Sequence, residues 1–368
     1  MRKLIFLVVI LSIHLSFQSW AVTPNSYEEH LNKLHKKGKF NGTAMVIKNG
    51  EIIYQGAFGP ADKDSIKQLD INSVFRLCSV SKQFTAMGIL ILKEQGKIKL
   101  TDSLRMYIPK CPYPGINIKQ LLIHTSGLPD YMPVTSKVYQ PEKKWWDTDR
   151  LVPNKDSVIN MLFTAKPKPS FSPGSSFEYS NTAYALLAII IERISNQSFT
   201  AFMEQNIFTP LEMNNTLILN YLPSDTVSIK NRAYGYWVKN KDLIYQAEHH
   251  YLNCMQGEGG IFSNAPDLAK WDAALYTEKL VSKKTLKEAF TGYIDWHKSK
   301  NLKYGYGWGI TEENGETRYT EHAGGWVGFR TYIYRDLKNK NCIILLCNNS
   351  MHKGISSSLK KFKQLLAD

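Results

Sequence analysis

Ser79 and Lys82 are the two residues whose types and spacing best suit nucleophilic chemistry in this chain. They stand three positions apart in Ser79-Val80-Ser81-Lys82, and positions i and i+3 lie on one face of a helix. The lysine amine is therefore expected beside the serine hydroxyl. If the helix is buried, the charged ammonium is disfavoured, and the neutral amine can take the serine proton. The positive end of the helix dipole at Ser79 would favour the negative charge that develops during attack.

The Ser-x-x-Lys spacing is weak evidence by itself, because it recurs near the end of the chain. Ser350, Ser357 and Ser358 are each followed three residues later by a lysine. Those copies lie in a polar stretch, whereas Ser79 begins the segment 79–96, which has apolar residues on nearly every side of a helix. The segment predicts a buried helix. The Ser79 copy alone thus has the buried environment that the chemistry requires.

Two further clusters carry groups that could assist a serine nucleophile. In Tyr179-Ser180-Asn181 the phenol could relay a proton and the carboxamide could hold a substrate amide. In His322-Ala323-Gly324-Gly325, expected at a strand edge, the small residues allow a substrate to lie against the backbone. Both have imperfect copies elsewhere, at residues 251–253 and 352–354. The three clusters in this order are far more specific than any one of them.

The elements that must position these residues run from strands to helices and back to strands. Asn49-Gly50 and Asn314-Gly315 favour type I′ hairpin turns. We therefore predict strands at 43–48, 51–54, 306–311 and 317–320, and two more at 331–334 and 342–346. Helices are predicted at 27–37, 79–96, 182–195, 265–275 and 359–366. The economical architecture is α+β: one antiparallel β-sheet flanked by helices, with an inserted helical lobe and the active site between them.

Taken together, these motifs resemble those of the serine β-lactamase and penicillin-binding superfamily. Within it, the chain looks like the class C branch, with its D,D-carboxypeptidase, D-aminopeptidase and esterase relatives. The resemblance covers nearly all of the chain after residue 21. Besides the clusters above, it rests on residues 75–84, 121–129, 259–263 with Asp267-Leu268, and 304–308.

The resemblance implies a role for each matched residue. Ser79 would form the acyl-enzyme, while Lys82 and Tyr179 would share proton transfer. The backbone N–H groups of Ser79 and Gly325 would form an oxyanion hole. The substrate-binding residues would be Asn181, His322, Gly324 and Gly325.

His322 departs from the family pattern, because β-lactamases usually carry a lysine at that place. A permanent cation there helps to bind a substrate carboxylate, and an imidazole is only partly charged near neutral pH. We expect a cationic His322 to bind a carboxylate weakly. The departure disfavours efficient β-lactam hydrolysis and leaves peptidase, amidase and esterase activities open.

Four other candidates are interpreted more simply. His124 is expected to be a structural hydrogen-bonding residue, and Ser81 to be packed or bonded locally. Glu258 lies beside glycines and could reach the cleft, but is interpreted as an exposed loop acid. His249-His250 with Cys254 lacks the spacing of a metal site. No metal or other cofactor is predicted.

The start of the chain predicts a secretory signal peptide, residues 1–21. Arg2 and Lys3 precede a mostly apolar run from Leu4 to Phe17, and small residues follow at the positions that a signal peptidase reads. The alternative is an uncleaved membrane anchor, although the run is shorter than the roughly 20 residues that span a bilayer. Residues 22–368 are predicted to form one hydrolase domain, with a sheet lobe at about 22–78 and 296–368 and a helical lobe at about 79–295.

Composition narrows the class of protein further. Hydrophobic residues make up 43% of the 368 residues, enough for a large core. The net charge of +14 could favour an anionic cell envelope, but the lysines are spread along the chain and no basic-aromatic motif for nucleic acid is present. The five cysteines are scattered, and we expect free or mostly buried thiols.

Two functions of different classes remain open from the sequence. The first is an exported, periplasmic or secreted serine acyl hydrolase that acts through a Ser79 acyl-enzyme on D-amino-acid peptides or amides, esters or β-lactams. The second is a weakly catalytic penicillin-binding protein or receptor of cell-wall fragments. Either would bind a small-molecule or peptide partner, including one derived from the cell wall. No nucleic-acid partner is predicted, and no stable membrane span after signal cleavage.

Overall fold

The computed structural model describes residues 25–62, 67–139, 154–219, 228–239, 242–246, 250–350 and 352–367. The predicted signal peptide, residues 1–21, lies outside the described residues, as does His249. Among the helices that the structure describes, none is both long and apolar enough to cross a bilayer.

The described part of the chain contains thirteen strands and eleven α-helices. The strands are β1 Gly42–Lys48, β2 Glu51–Phe58, β3 Phe75–Arg76, β4 Leu217–Ile218, β5 Tyr236–Lys239, β6 Asp242–Gln246, β7 Ile261–Ser263, β8 Ile294–His297, β9 Leu302–Tyr304, β10 Gly309–Glu313, β11 Glu316–Trp326, β12 Phe329–Asp336 and β13 Asn341–Cys347. The helices are α1 Asn25–Lys36, α2 Lys82–Glu94, α3 Leu104–Tyr107, α4 Ile118–Leu122, α5 Met132–Tyr139, α6 Lys155–Ala165, α7 Asn181–Ser195, α8 Phe199–Met203, α9 Ala265–Ala274, α10 Lys283–Ala289 and α11 His352–Ala367.

Eight strands form one antiparallel sheet in the order β2-β1-β13-β12-β11-β10-β9-β8. Strands β1 and β2 come from the beginning of the described chain, and the other six come from its end. Asn49 and Gly50, which join β1 to β2, have φ values of 54° and 85°, as a type I′ turn requires. Asn314 and Gly315 do the same between β10 and β11, with φ values of 54° and 79°. The predicted α+β class, an antiparallel sheet flanked by helices, is confirmed. The proposed lobe boundaries stay a prediction.

The sheet has helices on both faces because its central strands alternate between two apolar clusters. In β13, Ile344 and Leu346 pack into the larger cluster with the central helices, whereas Ile343 and Leu345 pack against the terminal helices. Successive side chains of a strand point to opposite faces, so one continuous apolar run serves both layers. On the terminal-helix side, the Phe362 ring of α11 lies 4.9 Å from that of Tyr27 in α1.

Helices α2 and α7 form the centre of the helical part. Gly88 of α2 lies so close to α7 that a Cβ there would come within 2.9 Å of Ile191 Cδ1. Both helices are buried on nearly all sides, and for α2 this confirms the burial that the apolar run in 79–96 predicts. The α-helix begins at Lys82, however, because residues Cys78–Ser81 form a single 3₁₀ turn. Gly96, with a φ of 70°, follows its end.

The structure corrects the predicted end of β11 and adds short strands that no periodicity signals. His322 lies inside β11, not after its end, because β12 pairs with that strand as far as Trp326. This ladder overrides the low strand propensity of Gly324 and Gly325. Strands β3, β7 and β4 form a second small sheet. Two or three residues are too few to show an alternating pattern.

Candidate active site

Ser79 lies in the 3₁₀ turn between β3 and α2, where it is the accessible residue among buried neighbours. Cys78, Val80 and Ser81 are buried, whereas Ser79 is half-buried. Cys78 has a φ of 53°, a left-handed conformation that is strained for a residue with a side chain. In a 3₁₀ helix, positions i and i+3 eclipse each other, so the turn aligns Ser79 with Lys82 more closely than an α-helix would.

Lys82 is fully buried, and oxygen atoms of other residues surround its amine. Its Nζ lies 3.2 Å from Ser79 Oγ, 2.9 Å from Asn181 Oδ1 and 2.8 Å from the backbone oxygen of Glu258. Burial lowers the pKa of Lys82 from 10.5 to about 7, and the carboxylates of Glu258 and Asp130 oppose that fall. Near neutral pH a large fraction of the amine is therefore uncharged and able to accept a proton.

Tyr179 lies against the same amine. Lys82 Nζ is 4.7 Å from the centre of the Tyr179 ring. Burial raises the pKa of Tyr179, and the buried tyrosine hydroxyl is close enough to the Ser79 side chain for a hydrogen bond between them to oppose that rise. The phenol is therefore neutral at physiological pH and can hand on a proton that it receives, whereas Lys82 is the group that can act as the initial base.

Asn181 is the first residue of α7 and points its carboxamide at the lysine. Ser180 caps the helix by accepting a hydrogen bond from the Ala183 N–H. His124 in turn accepts one from the Ser180 N–H at 3.1 Å through Nδ1, so the prediction that His124 is a structural hydrogen-bonding residue is confirmed. Because the Asn181 oxygen accepts from Lys82, its NH₂ group remains available to the pocket that the residue lines.

A narrow cavity of about 40 Å³ adjoins Ser79. Asn181 and Gly325 line it, together with Tyr131, Glu258 and Trp326. The structure thus brings Ser79, Lys82, Tyr179, Asn181 and Gly325 together from a turn, two helices, a loop and a strand. They are separated by up to 246 positions along the chain.

The two predicted glycines have different surroundings. A Cβ on Gly324 would come within 2.4 Å of the Leu77 oxygen and 2.2 Å of Thr331 Oγ1. Gly324 therefore lets β11 pack against the nucleophile turn, and its predicted contact with substrate stays a prediction. A Cβ on Gly325 would meet nothing nearer than 3.3 Å, and Gly325 lines the pocket.

His322 does not have the environment expected of a cation. It is 2% exposed, with Nε2 3.0 Å from the Tyr304 hydroxyl and Nδ1 2.7 Å from the Ala323 oxygen. Burial, and then the charge of Lys82, lowers the pKa of His322 to about 3. Its imidazole is neutral at physiological pH, and it is absent from the lining of the Ser79 pocket. This environment does not support a cationic His322 that binds a carboxylate, and the role of His322 in substrate binding stays a prediction.

Glu258 is the residue that sequence reasoning placed incorrectly, because it is 9% exposed and not an open loop acid. Its Oε1 accepts a hydrogen bond from the Tyr131 hydroxyl at 3.0 Å, and Oε2 has no partner among the described groups. The glycines beside Glu258 are the sequence signal that could have indicated an inward-facing acid. Gly257 and Gly260 have φ values of 96° and 89°, which glycine adopts without strain, and the loop they shape turns its acid inward.

The remaining side chains support packing. Ser81 is fully buried, which confirms the packed alternative, and its Oγ accepts a hydrogen bond from the Ile261 N–H of a distant strand at 3.3 Å. All five cysteines are buried thiols, as predicted, and none forms a disulfide. Within the described residues, no group of three or more histidine, cysteine or acidic side chains could hold a metal ion.

A serine hydroxyl beside a buried lysine, in a cleft between an antiparallel sheet and a helical lobe, is the arrangement expected of a serine hydrolase. The model of the family described as Beta-lactamase matches residues 27–354. The chain belongs to this family and is a serine hydrolase, so the resemblance seen in the motifs is confirmed.

Individual relatives agree with the family. The chain is 35% identical over 327 residues to Penicillin-binding protein 4* of Bacillus subtilis (strain 168), covering 86% of this chain and 69% of that protein. Its fold is similar to that of an octameric penicillin-binding protein homologue from Pyrococcus abyssi (TM-score 0.81, 24% identity, 94% of this chain and 78% of the other). It is also similar to D-amino acid amidase from Ochrobactrum anthropi SV3 (TM-score 0.77, 22% identity, 93% and 98%). At these identities the two structures support the fold alone.

Proposed function

We propose that the protein is an acyl hydrolase in which Ser79 forms a covalent acyl-enzyme. The neutral amine of Lys82 takes the Ser79 proton as Oγ attacks the substrate carbonyl. The phenol of Tyr179 relays a proton to the leaving group, and Asn181 holds the substrate amide. The backbone N–H groups of Ser79 and Gly325 stabilise the oxyanion. Water then cleaves the acyl-enzyme and regenerates the serine.

The observation that carries this proposal is the environment of Lys82. A lysine with an ordinary pKa would be protonated at pH 7 and could not act as a base. Here burial lowers its pKa to about 7, and its Nζ lies 3.2 Å from Ser79 Oγ. The other Ser-x-x-Lys copies in the described residues lie in α11 or just before it, where no such buried lysine is present.

The proposed substrates are D-amino-acid peptides or amides and esters. The narrow cavity beside Ser79 accepts a small group next to the scissile carbonyl, as a short D-amino-acid side chain would be. The similarity to D-amino acid amidase and to penicillin-binding proteins supports the same class. β-Lactams would acylate Ser79 slowly, because the neutral His322 supplies no cation for their carboxylate.

A second candidate function is a penicillin-binding protein that stays acylated. The 35% identity to Penicillin-binding protein 4* favours it. The two functions differ in the rate at which water cleaves the acyl-enzyme. Measurement of acylation and deacylation with the same substrate separates them.

The test of the nucleophile uses a fluorophosphonate probe and mass spectrometry of the labelled peptide. We expect the added mass on the peptide that contains Ser79 and its loss in Ser79→Ala. The matched control is Ser357→Ala, since Ser357 also precedes a lysine by three residues and should not affect labelling. A panel of D-amino-acid amides, esters and β-lactams then ranks the substrates. Full labelling of Ser79→Ala would overturn the proposal.

We also propose that the protein is exported and processed after Ala21. This proposal is supported by residues 1–21, in which basic residues come first, an apolar run follows and small residues end the segment. The mature protein would be periplasmic or secreted. N-terminal sequencing of protein recovered from the cell envelope and medium should find Val22 first. A chain that begins at Met1 and is held in the membrane would instead support an anchor.

A further inference from the structure

A second cavity, of about 560 Å³, lies between the outer side of β11 and β12 and the helix α11. Four cationic side chains line it: Lys300, Arg330, Lys360 and Lys363. Ile355 and Leu359 of α11 supply apolar surface between them. We call this cavity the basic groove.

Two of the four cations in the basic groove carry charge that no described acid pairs with. Lys300 and Lys360 are exposed, and neither has an ion-pair partner among the described residues. Lys363 Nζ lies 3.4 Å from Glu321 Oε2 and 3.6 Å from the centre of the Tyr334 ring. Two exposed lysines without a described ion-pair partner, beside Arg330 and Lys363, give the groove a positive potential that favours an anionic ligand.

The basic groove continues into the nucleophile pocket. Gly325 lines both cavities, and it lies opposite Arg330 in the pairing of β11 with β12. A Cβ on Gly325 would come within 3.3 Å of Arg330 Nη1, so the guanidinium stands directly beside the backbone that borders Ser79. A chain lying across Gly325 would reach from the nucleophile to the cations.

We propose that the basic groove binds an anionic segment of the substrate that continues past Gly325 from the bond attacked by Ser79. The segment carries carboxylate or phosphate groups, and its apolar parts lie on Ile355 and Leu359. This proposal rests on the proposed function, since it deepens the substrate class of the same site. In this proposal the negative groups of the substrate bind to the cations of β12, α11 and Lys300, and not to the neutral His322.

Exposed charges act mainly on binding and association, and salt screens them. One exposed ion pair contributes little, whereas several cations acting on a multiply charged segment contribute together. The groove should therefore lower KM for anionic substrates, leave kcat nearly unchanged, and lose its effect at high ionic strength.

The kinetic test compares three D-alanyl peptide amides that differ in the two residues after D-alanine: Ser-Ser, Asp-Asp and phosphoserine-phosphoserine. The double variant Lys300→Glu with Lys360→Glu should raise KM for the two anionic peptides by about tenfold and leave the Ser-Ser peptide unchanged. Comparison of the Asp-Asp and phosphoserine peptides distinguishes carboxylate from phosphate. The matched control is Lys353→Glu, an exposed residue of the same helix that does not line the groove; it should leave all three peptides unchanged.

A binding test keeps the proposal separate from catalysis. A fluorescein-labelled phosphoserine-phosphoserine peptide should bind to Ser79→Ala. It should dissociate in 0.5 M salt, where the screening length is about 4 Å. When Lys300 and Lys360 are also replaced by glutamate, the peptide should bind about tenfold more weakly. If no peptide is hydrolysed but this binding is found, the proposed function fails and the groove stands. Equal effects on the neutral and anionic peptides, or equal binding by the double variant, would overturn the groove.

Discussion

Lys82 Nζ donates a hydrogen bond to the backbone oxygen of Glu258 at 2.8 Å, while the carboxylate of the same residue raises the pKa of Lys82 against the effect of burial. Glu258 thus touches the proposed base through its backbone and influences it through its charge. Tyr131 holds the carboxylate in place by donating to Oε1 at 3.0 Å. The loop that carries Glu258 is therefore part of the electrostatic environment of the nucleophile.

Replacing Glu258 by glutamine should move the pH profile of acylation to lower pH. A base is active when deprotonated, so kcat/KM should rise with pH through about 7 in the wild type and level off above it. Glutamine keeps the size and a hydrogen-bond acceptor but removes the charge that raises the pKa of Lys82. The measurement is kcat/KM for a neutral ester between pH 5 and 9. A midpoint that stays in place or rises would contradict the assignment of Lys82 as the base.

Removal of the base should abolish most acylation. We expect Lys82→Ala and Tyr179→Phe each to slow acylation by roughly 10²-fold or more, the scale of a lost proton-transfer group. Lys82→Arg should not restore the rate, since a guanidinium does not give up its proton. Stopped-flow acylation with a chromogenic ester measures the rates, and circular dichroism checks the fold. A nearly normal rate for the arginine variant would refute the mechanism.

His322 should not distinguish an acid from an amide. Because its pKa is lowered to about 3, the imidazole does not change charge between pH 5 and 9. The dependence of kcat/KM on pH should therefore be the same for a D-peptide acid and its carboxamide, both in the wild type and in His322→Gln. If kcat/KM fell near pH 6 to 7 for the peptide acid but not for its carboxamide, His322 would be assigned to carboxylate binding after all.

The two glycines of β11 should respond differently to alanine. Gly324→Ala places a methyl group against the Leu77 oxygen and Thr331 Oγ1, and we expect a loss of about 1–3 kcal/mol in the free energy of unfolding, as for other overpacked sites. Gly325→Ala has more room and should keep the stability while weakening substrate binding. Chemical denaturation and KM measure the two effects. Equal stability of both variants would contradict the close packing at Gly324.

Much of the fold could be predicted because local rules determine it. The Asn-Gly pairs 49–50 and 314–315 require positive φ angles that mark hairpins. The apolar run after Ser79 indicates a buried helix, and the apolar run of β13 indicates a strand buried on both faces. The short strands β3, β4 and β7 escaped prediction because distant residues, not a local pattern, hold them in pairs.

The site divides in the same way. The order and spacing of Ser79, Lys82, Tyr179 and Asn181 identified, from the sequence alone, residues that the structure gathers around one amine. These residue types carry their chemistry with them, and the i+3 spacing of the first two places them together in any helical turn.

Only the tertiary structure decided the charge states and the accessible surfaces. Whether His322 is a cation depends on how much water reaches it, and burial by neighbouring elements removes that water. Glu258 faces inward because its loop folds onto Tyr131, and Gly324 and Gly325 differ because adjacent strand residues face opposite sides. The basic groove gathers cations from β12, α11 and the turn before β9. Distances through space, which sequence spacing does not contain, set each of these properties.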